Sequence, residues 1–265
     1  MQAHGLPARA GWEWIKQGIA LFRRQPLGLM TLFMTFVFAI LLLTMIPIAG
    51  LVLPAVLYPG LSLAFMVGCR DVVAGRRVLP TTLVAPFREH DGRAVRPLLV
   101  LGVLFLVALA LAMLATALFD GGQLLRATVG FGQTAPDAFE QPDVVRAMIV
   151  AIVLQLAITF VFWYAPVLVA WHDVSPVKAL FFSAVAAWRN LAPFVAYGVG
   201  LFVLVVLVQI VALTVLTLLG VPARFQLVLY SPLLVAVMTV VYCSVYASYR
   251  MTFDIRDDNV MRLSL

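Results

Sequence analysis

The stretch QLAITFVFWYAPVLVAWHDVSPVKALFFSAVAAWRNLAPF, residues 155–194, decides the fold, because it holds most of a membrane span, an exit into water and a return into the bilayer. The apolar run to which it belongs, residues 147–171, carries no formal charge. A helix rises ~1.5 Å per residue and the hydrocarbon core is ~30 Å thick, so this run is long enough to cross it. Within the hydrocarbon only a helix satisfies its own backbone polar groups, and the run is therefore predicted to be helical.

The chain is predicted to leave the membrane at His172-Asp173. Tyr164 and Trp171 lie in the half of the run that approaches this point, and aromatic side chains with a polar edge favour the headgroup level. Pro166 removes one helical N–H, so a kink is expected near this end of the span.

A helix lying in the membrane interface is predicted after this exit. It starts at Ser175-Pro176, where serine can cap the helix and proline suits the first turn. Its apolar side chains fall on one side at helical spacing: Leu180, Phe181, Ala184, Trp188 and Leu191. Lys178 and Arg189 can extend their charged ends towards water, which is typical of an interfacial helix rather than a span.

The same pattern predicts two further interfacial helices. The first lies within residues 11–25, and an ordinary solvated helix is the alternative there. Its apolar face is formed by Trp12, Ile15, Ile19 and Phe22. The second is the short segment 80–87, inside the basic loop of residues 70–96.

Composition excludes a soluble globular protein. Of the 265 residues, 64% are hydrophobic and 11% are charged, whereas soluble domains contain about 25% charged residues. No segment outside the spans is long enough for an independent soluble domain, so residues 1–265 are predicted to form a single membrane domain. The net charge of +6 comes from basic residues between apolar runs, and without a basic domain or an aromatic platform no nucleic-acid binding is expected.

The predicted fold is all-α, an integral membrane bundle of six helices with amphipathic interfacial helices on the cytoplasmic side. The predicted spans are residues 27–46, 51–69, 97–119, 147–171, 193–219 and 225–249. The first two are separated by Pro47-Ile48-Ala49-Gly50, a sequence that suits a tight turn between helices.

The loops between these spans divide by charge. Of the 18 lysines and arginines, all but Arg126, Arg146 and Arg224 fall on one side of the predicted membrane. Because an excess of basic residues marks cytoplasmic loops, both termini are predicted to be cytoplasmic.

Three repeats of an interfacial helix followed by two spans are also predicted. Each interfacial segment ends in an aromatic–arginine pair, and a proline precedes the next span: Phe22-Arg23 with Pro26, Phe87-Arg88 with Pro97, and Trp188-Arg189 with Pro193. Each second span carries tyrosine and proline close together: Tyr58-Pro59, Tyr164 with Pro166, and Tyr230 with Pro232. Internal repeats are common in membrane transport folds, but these prolines lie at different depths, which leaves coincidence as the alternative.

A family resemblance rests on three motifs. These are APVLVAWHDVSPVKALFFSAVAAWRNLAPF, FRRQP near the start, and YPGLSLAF in the second span. They resemble an uncharacterised family of six-span inner-membrane proteins from proteobacteria, over nearly the whole chain. The chain is more distantly similar to the membrane domain that accompanies some glycerophosphodiester phosphodiesterases. The first resemblance implies the bacterial inner membrane and assigns no activity, and the phosphodiesterase catalytic domain has no counterpart here.

No catalytic, cofactor or metal site is visible in the sequence, so neither an enzyme nor a cofactor is expected. His4, His90 and His172 all lie outside the apolar cores, and no HExxH, P-loop or GxSxG pattern occurs. Cys69 and Cys243 lie within or at the end of apolar runs without metal-ligand spacing, and no structural disulfide is expected.

One candidate site is a cavity within the membrane. Gln155 and Gln209 are the mid-membrane amides of the chain, and together with Tyr164 and Tyr230 they are predicted to line it. Hydrogen bonds between helices are the alternative role for the two amides.

The other candidate site is a polar cluster at the cytoplasmic rim, formed by Arg70, Asp71, His172, Asp173 and Arg250. Each residue lies where an even-numbered span ends, so three repeats packed around an axis would bring them together. The cluster would close the lower end of the bundle or bind a lipid headgroup, since arginine pairs well with phosphate. Local ion pairs at the headgroup level are the alternative.

Two functional hypotheses follow. In the first, the protein binds or transports lipids or small amphiphiles, with membrane lipids as its partners. In the second, it is an accessory or scaffold subunit that contacts a protein partner or copies of itself. A cavity lined by the tyrosines and glutamines favours the first hypothesis, and an exposed face of small residues without a cavity favours the second.

Overall fold

The computed structural model describes residues 4–47, 49–129 and 141–254, and within these ranges the chain forms helices and no strands. The α-helices are α1 (Ala10–Arg24), α2 (Pro26–Thr44), α3 (Ala49–Val73), α4 (Val95–Asp120), α5 (Gln123–Val129), α6 (Pro142–Phe162), α7 (Ala165–His172), α8 (Pro176–Arg189), α9 (Leu191–Leu218) and α10 (Ala223–Thr252). Two 3₁₀ segments, Pro80–Phe87 and Glu89–Gly92, lie between α3 and α4.

The six predicted spans are confirmed. Helices α2, α3, α4, α9 and α10, and α6 together with α7, are long and apolar enough to cross a membrane. Most of them extend beyond the predicted bounds; α3, for example, continues through Arg70 and Asp71 to Val73. The predicted second span ends just before the first charged residue, Arg70, but backbone hydrogen bonds can continue a helix into the headgroup layer, where charged side chains reach water.

The exposed surface of the spans is apolar. Leu118 of α4 is 85% exposed and Leu218 of α9 is 81% exposed. None of the residues in the most apolar 18-residue window of α9 is buried. A soluble protein rarely exposes contiguous apolar surface of this kind, whereas in a bilayer the lipid chains cover it.

The first of two compact units comprises Met1–Ala39, Leu61–Glu89 and Val185–Leu265. In it, α1 packs against α9 and α10. Trp14 is fully buried there, and its ring meets those of Phe194 at 5.2 Å and Tyr197 at 5.8 Å, edge to face. A Cβ added to Gly11 would lie 2.6 Å from the backbone nitrogen of Tyr197, so glycine is needed for this close approach.

The face of α1 that packs on the protein differs from its predicted apolar face. The buried residues are Ala10, Gly11, Trp14, Ile15, Gly18 and Leu21. Trp12 is 49% exposed, and Ile19 and Phe22 are only partly covered. The small residues select the buried side, because they let the helix backbones approach closely. The predicted headgroup depth of the exposed side stays a prediction.

The second compact unit comprises Ile40–Gly60 and His90–Ala184, with α4 packed against α5, α6 and α7. A Cβ on Gly102 would lie 2.6 Å from the carbonyl carbon of Val56, so α3 crosses α4 closely here. Beside this crossing, the ring of Tyr58 stacks on Phe105 at 5.2 Å, and Phe105 meets Phe162 edge to face at 5.1 Å.

The kink predicted near Pro166 is confirmed as a break between α6 and α7, at Trp163 and Tyr164. Pro166 has no N–H to continue the α6 hydrogen-bond ladder. The N–H of Tyr164, which is fully buried, donates to the hydroxyl oxygen of Ser183 in α8 at 3.0 Å. The hydroxyl therefore satisfies a backbone donor at the break.

Helix α8 forms as predicted, starting at Pro176, and presents large apolar side chains outward. Phe181 is 65% exposed and Trp188 is 76% exposed, whereas Ala179 and Ser183 are fully buried. This pattern supports an interfacial position for α8. The single membrane domain of residues 1–265 and its three repeats stay predictions.

Candidate functional site

A groove of about 460 Å³ runs along the start of α4, in the second unit. It is lined by Gly92, Val95, Arg96, Leu99, Val100, Val103 and Leu104. The lining is therefore apolar apart from one guanidinium group, which lies at the end of the groove where the helix begins.

The groove exists because α4 uses its other face for packing. Leu98, Leu101 and Gly102 are buried against the rest of the unit. The residues that line the groove lie on the opposite side of α4, where Val100 is 43% exposed and Val103 is 49% exposed. Three- and four-residue spacing places such side chains in one row along the helix.

Arg96 gives the groove a charged end. Its side chain is exposed. The N-terminus of the helix adds a partial positive charge beside it. Val103 lies about 10 Å further along the helix axis, in the apolar part of the span. The groove thus has one positively charged residue at its start and apolar residues along the rest of its length.

This groove was not among the sites predicted from the sequence. Its signal is present, because Arg96 is followed at helical spacing by Leu99, Val100, Val103 and Leu104. The same spacing occurs on every face of an apolar span, so the open face becomes recognisable only once the packed face is known.

In the predicted rim cluster, Arg70 and Asp71 pair with residues that the sequence analysis did not single out. The guanidinium of Arg70 forms an ion pair with Glu89 in the second 3₁₀ segment. The carboxylate of Asp71 accepts a hydrogen bond from Nε of Arg76 at 2.9 Å. These are local ion pairs within the first unit.

The other members of the rim cluster lie at helix ends. Asp173 has a positive φ of 50°, and its N–H donates to the carbonyl oxygen of Leu168, which caps α7 just after His172. The Arg250 guanidinium lies 5.9 Å from the centre of the Tyr246 ring. A meeting of all five residues stays a prediction.

The four predicted cavity residues differ in exposure. Tyr164 is fully buried and Tyr230 is 8% exposed. Gln155 and Gln209 are both exposed, and within the described ranges neither amide side chain makes a hydrogen bond. The cavity itself stays a prediction.

The two cysteines lie side by side in the first unit. Cys69 and Cys243 are 0% and 1% exposed, and their side chains are neighbours. Both are free thiols, and the adjacent ring pair Phe65 and Tyr242 stacks at 4.0 Å. Their wide separation in sequence hides this contact. In the part of the chain that the structure describes, no group of three or more His, Cys, Asp or Glu could hold a metal ion.

A protein of Burkholderia thailandensis, named as a probable inner membrane protein, is 41% identical to this chain. The match covers 99% of this chain and 98% of the relative. This chain belongs to the same protein family. It is therefore a multi-pass inner-membrane protein, as its six apolar helices also indicate.

The comparisons give this inner-membrane family no further assignment. No family model matches the chain, and no solved structure matches it. The more distant similarity to the membrane domain that accompanies glycerophosphodiester phosphodiesterases stays a prediction. The function of this protein is therefore inferred from its structure.

Proposed function

We propose that this inner-membrane protein binds an anionic phospholipid in the groove of α4, and that it does so without catalysing a reaction. The observation that carries the proposal is the position of Arg96 at the start of α4, beside an otherwise apolar groove. In this proposal Arg96 contacts the headgroup of the lipid, and the apolar residues of the groove contact its acyl chains.

The charged end favours a phosphate group. Arginine presents several N–H donors in a planar fork that matches phosphate oxygens, and such bonds are stronger than those between neutral groups. Anionic lipids of the cytoplasmic leaflet also attract basic segments of membrane proteins. Each basic residue near the surface contributes about 1 kcal/mol to this attraction.

The apolar end favours an acyl chain. Val100 and Val103 leave nearly half of their surface uncovered, and Leu99 and Leu104 complete the row. The groove is open along its side, so a lipid can enter laterally from the bilayer without a lid having to move. These side chains would hold the acyl chain of the lipid by van der Waals packing, since lipid tails are as apolar as leucine.

The test is native mass spectrometry of the protein released from nanodiscs that contain phosphatidylglycerol and phosphatidylcholine. The wild-type protein should retain phosphatidylglycerol preferentially, and Arg96→Gln should lower that retention several-fold. Arg146→Gln is the matched control, because Arg146 is exposed on α6 and pairs with Asp143 at 3.1 Å. Equal retention of both lipids by the wild-type protein, or equal loss in both variants, would contradict the proposal.

A scaffold or accessory role is the second candidate, and Gln155 is the observation that favours it. This amide lies mid-way along α6, is exposed, and makes no side-chain hydrogen bond within the described ranges. Amides in the hydrocarbon favour contact with another helix that satisfies them. A protein partner retained at fixed stoichiometry in native membranes, and lost on Gln155→Leu, would support this role over lipid binding alone.

A further inference from the structure

Gln209 is a polar side chain in an apolar and unburied part of α9. It lies in the middle of the helix, which runs from Leu191 to Leu218. The residue is exposed, and its amide makes no hydrogen bond to any group in the residues that the structure describes. The buried residues of α9 lie near its start: Pro193, Phe194 and Tyr197.

An amide in hydrocarbon needs a partner. Lipid chains offer no hydrogen bond, so an amide in hydrocarbon without a partner is destabilising. Glutamine carries two donors and one acceptor that can take two bonds. Two glutamine side chains that face each other can therefore satisfy one another, which makes this residue self-complementary.

The face that contains Gln209 permits close approach of another helix. At about 100° per residue, Gly198 and Phe202 both lie within about 20° of Gln209 around the axis of α9. A Cβ on Gly198 would meet nothing within 4 Å, so this part of the face is a shallow gap. Phe202 is 68% exposed and could fill the corresponding gap on another helix. Small residues at such positions are enriched where membrane helices associate.

We propose that this face of α9 is the contact surface between two copies of the chain, with the two Gln209 amides hydrogen-bonded to each other across a two-fold axis. All copies insert into the membrane in one orientation, so a two-fold axis normal to the membrane keeps each residue at the depth of its counterpart. A residue that lies close to such an axis contacts the same residue of the other copy. A self-complementary amide at mid-membrane depth fits that arrangement better than it fits an unrelated partner.

Cysteine cross-linking in native membranes tests the geometry. Phe202→Cys and Val195→Cys place a thiol on the proposed face, and Leu207→Cys, about 160° away from Gln209, is the matched control. Val195 and Leu207 are similarly exposed, at 58% and 55%. The wild-type protein provides the background, because Cys69 and Cys243 are buried. Copper-phenanthroline should yield covalent dimers from the first two variants and few from the control.

The energetic test is Gln209→Leu, measured by Förster transfer between labelled copies at increasing dilution in liposomes. Interhelical hydrogen bonds in membranes contribute about 0.6–2 kcal/mol each, so loss of the pair should raise the dimer dissociation constant about tenfold. The variant Arg96→Gln should leave dimerisation unchanged, which separates this proposal from the proposed lipid site. A monomer at all dilutions, equal cross-linking at positions 202 and 207, or an unchanged constant for Gln209→Leu would overturn the proposal.

Discussion

Gly18 of α1 lies directly against Ser244 of α10. A Cβ added to Gly18 would lie 2.9 Å from the backbone nitrogen of Ser244 and 3.0 Å from the carbonyl oxygen of Val240. The hydroxyl of Ser244 in turn donates to that Val240 carbonyl at 2.8 Å. The absence of a side chain at Gly18 thus sets the distance between the two helices.

Replacing Gly18 with alanine should therefore destabilise the protein, although alanine normally favours a helix over glycine by about 1 kcal/mol. Overpacking of this kind costs about 1–3 kcal/mol, so steric conflict outweighs helix propensity. Thermal unfolding in mild detergent measures the effect. Gly5→Ala is the control, because its added Cβ would meet only Arg189 oxygen at an ordinary 3.9 Å. An unchanged or raised melting temperature for Gly18→Ala would contradict the packing described.

Ser183→Ala should destabilise the break between α6 and α7. The substitution removes the acceptor of the Tyr164 N–H, and a buried donor left unsatisfied costs about 1–3 kcal/mol. Ser231→Ala is the matched control, since the exposed Ser231 hydroxyl only donates to Val228 oxygen in its own helix. Both variants are compared with the wild-type protein by thermal unfolding. If Ser231→Ala cost as much as Ser183→Ala, the hydrogen bond to Tyr164 would not explain the effect.

Cys69 and Cys243 should be joined by a mild thiol oxidant. Their side chains are neighbours, and the adjacent rings of Phe65 and Tyr242 stack at 4.0 Å, so the two thiols lie within reach of each other. Diamide, a membrane-permeant diazene, would take one hydrogen from each thiol and become the hydrazine. Non-reducing peptide mapping by mass spectrometry should then find the two peptides linked within one chain. Cys69→Ser should abolish the link, and its absence in the oxidised wild-type protein would contradict the contact between α3 and α10.

The predicted topology places residues 120–146 on the periplasmic side. Asp137 lies in this loop, outside the described residues, and Asp137→Cys should react with a membrane-impermeant maleimide in intact spheroplasts. Arg76→Cys, in the basic loop after α3, should react only after the membrane is opened. The reverse pattern would show that both termini are periplasmic.

The spans could be predicted from the sequence because bilayer thickness dictates their length and composition. The short helix α8 could also be predicted, since Ser175-Pro176 marks its start. In each case the signal lies within a few residues of the element that it specifies.

The contacts between helices were harder to predict, because in a membrane the large apolar side chains need not be buried. Trp12 and Trp14 differ little in sequence context, yet Trp14 is fully buried and Trp12 is half exposed. The small residues Gly11 and Gly18 decide which side packs. The pairing of Arg70 with Glu89 depends on the path of the 3₁₀ segments between them, and periodicity does not encode that path.

The outward-facing aromatic side chains of α8 have a consequence for bilayers of different thickness. Phe181 and Trp188 would hold α8 at one level, while its buried Ser183 ties it to the break in the preceding span. Tilting, kinking and local deformation are the ways in which spans accommodate a change in hydrocarbon thickness. With the end of the span next to α8 held at a fixed level, a thicker or thinner membrane would be accommodated at the opposite end of that span.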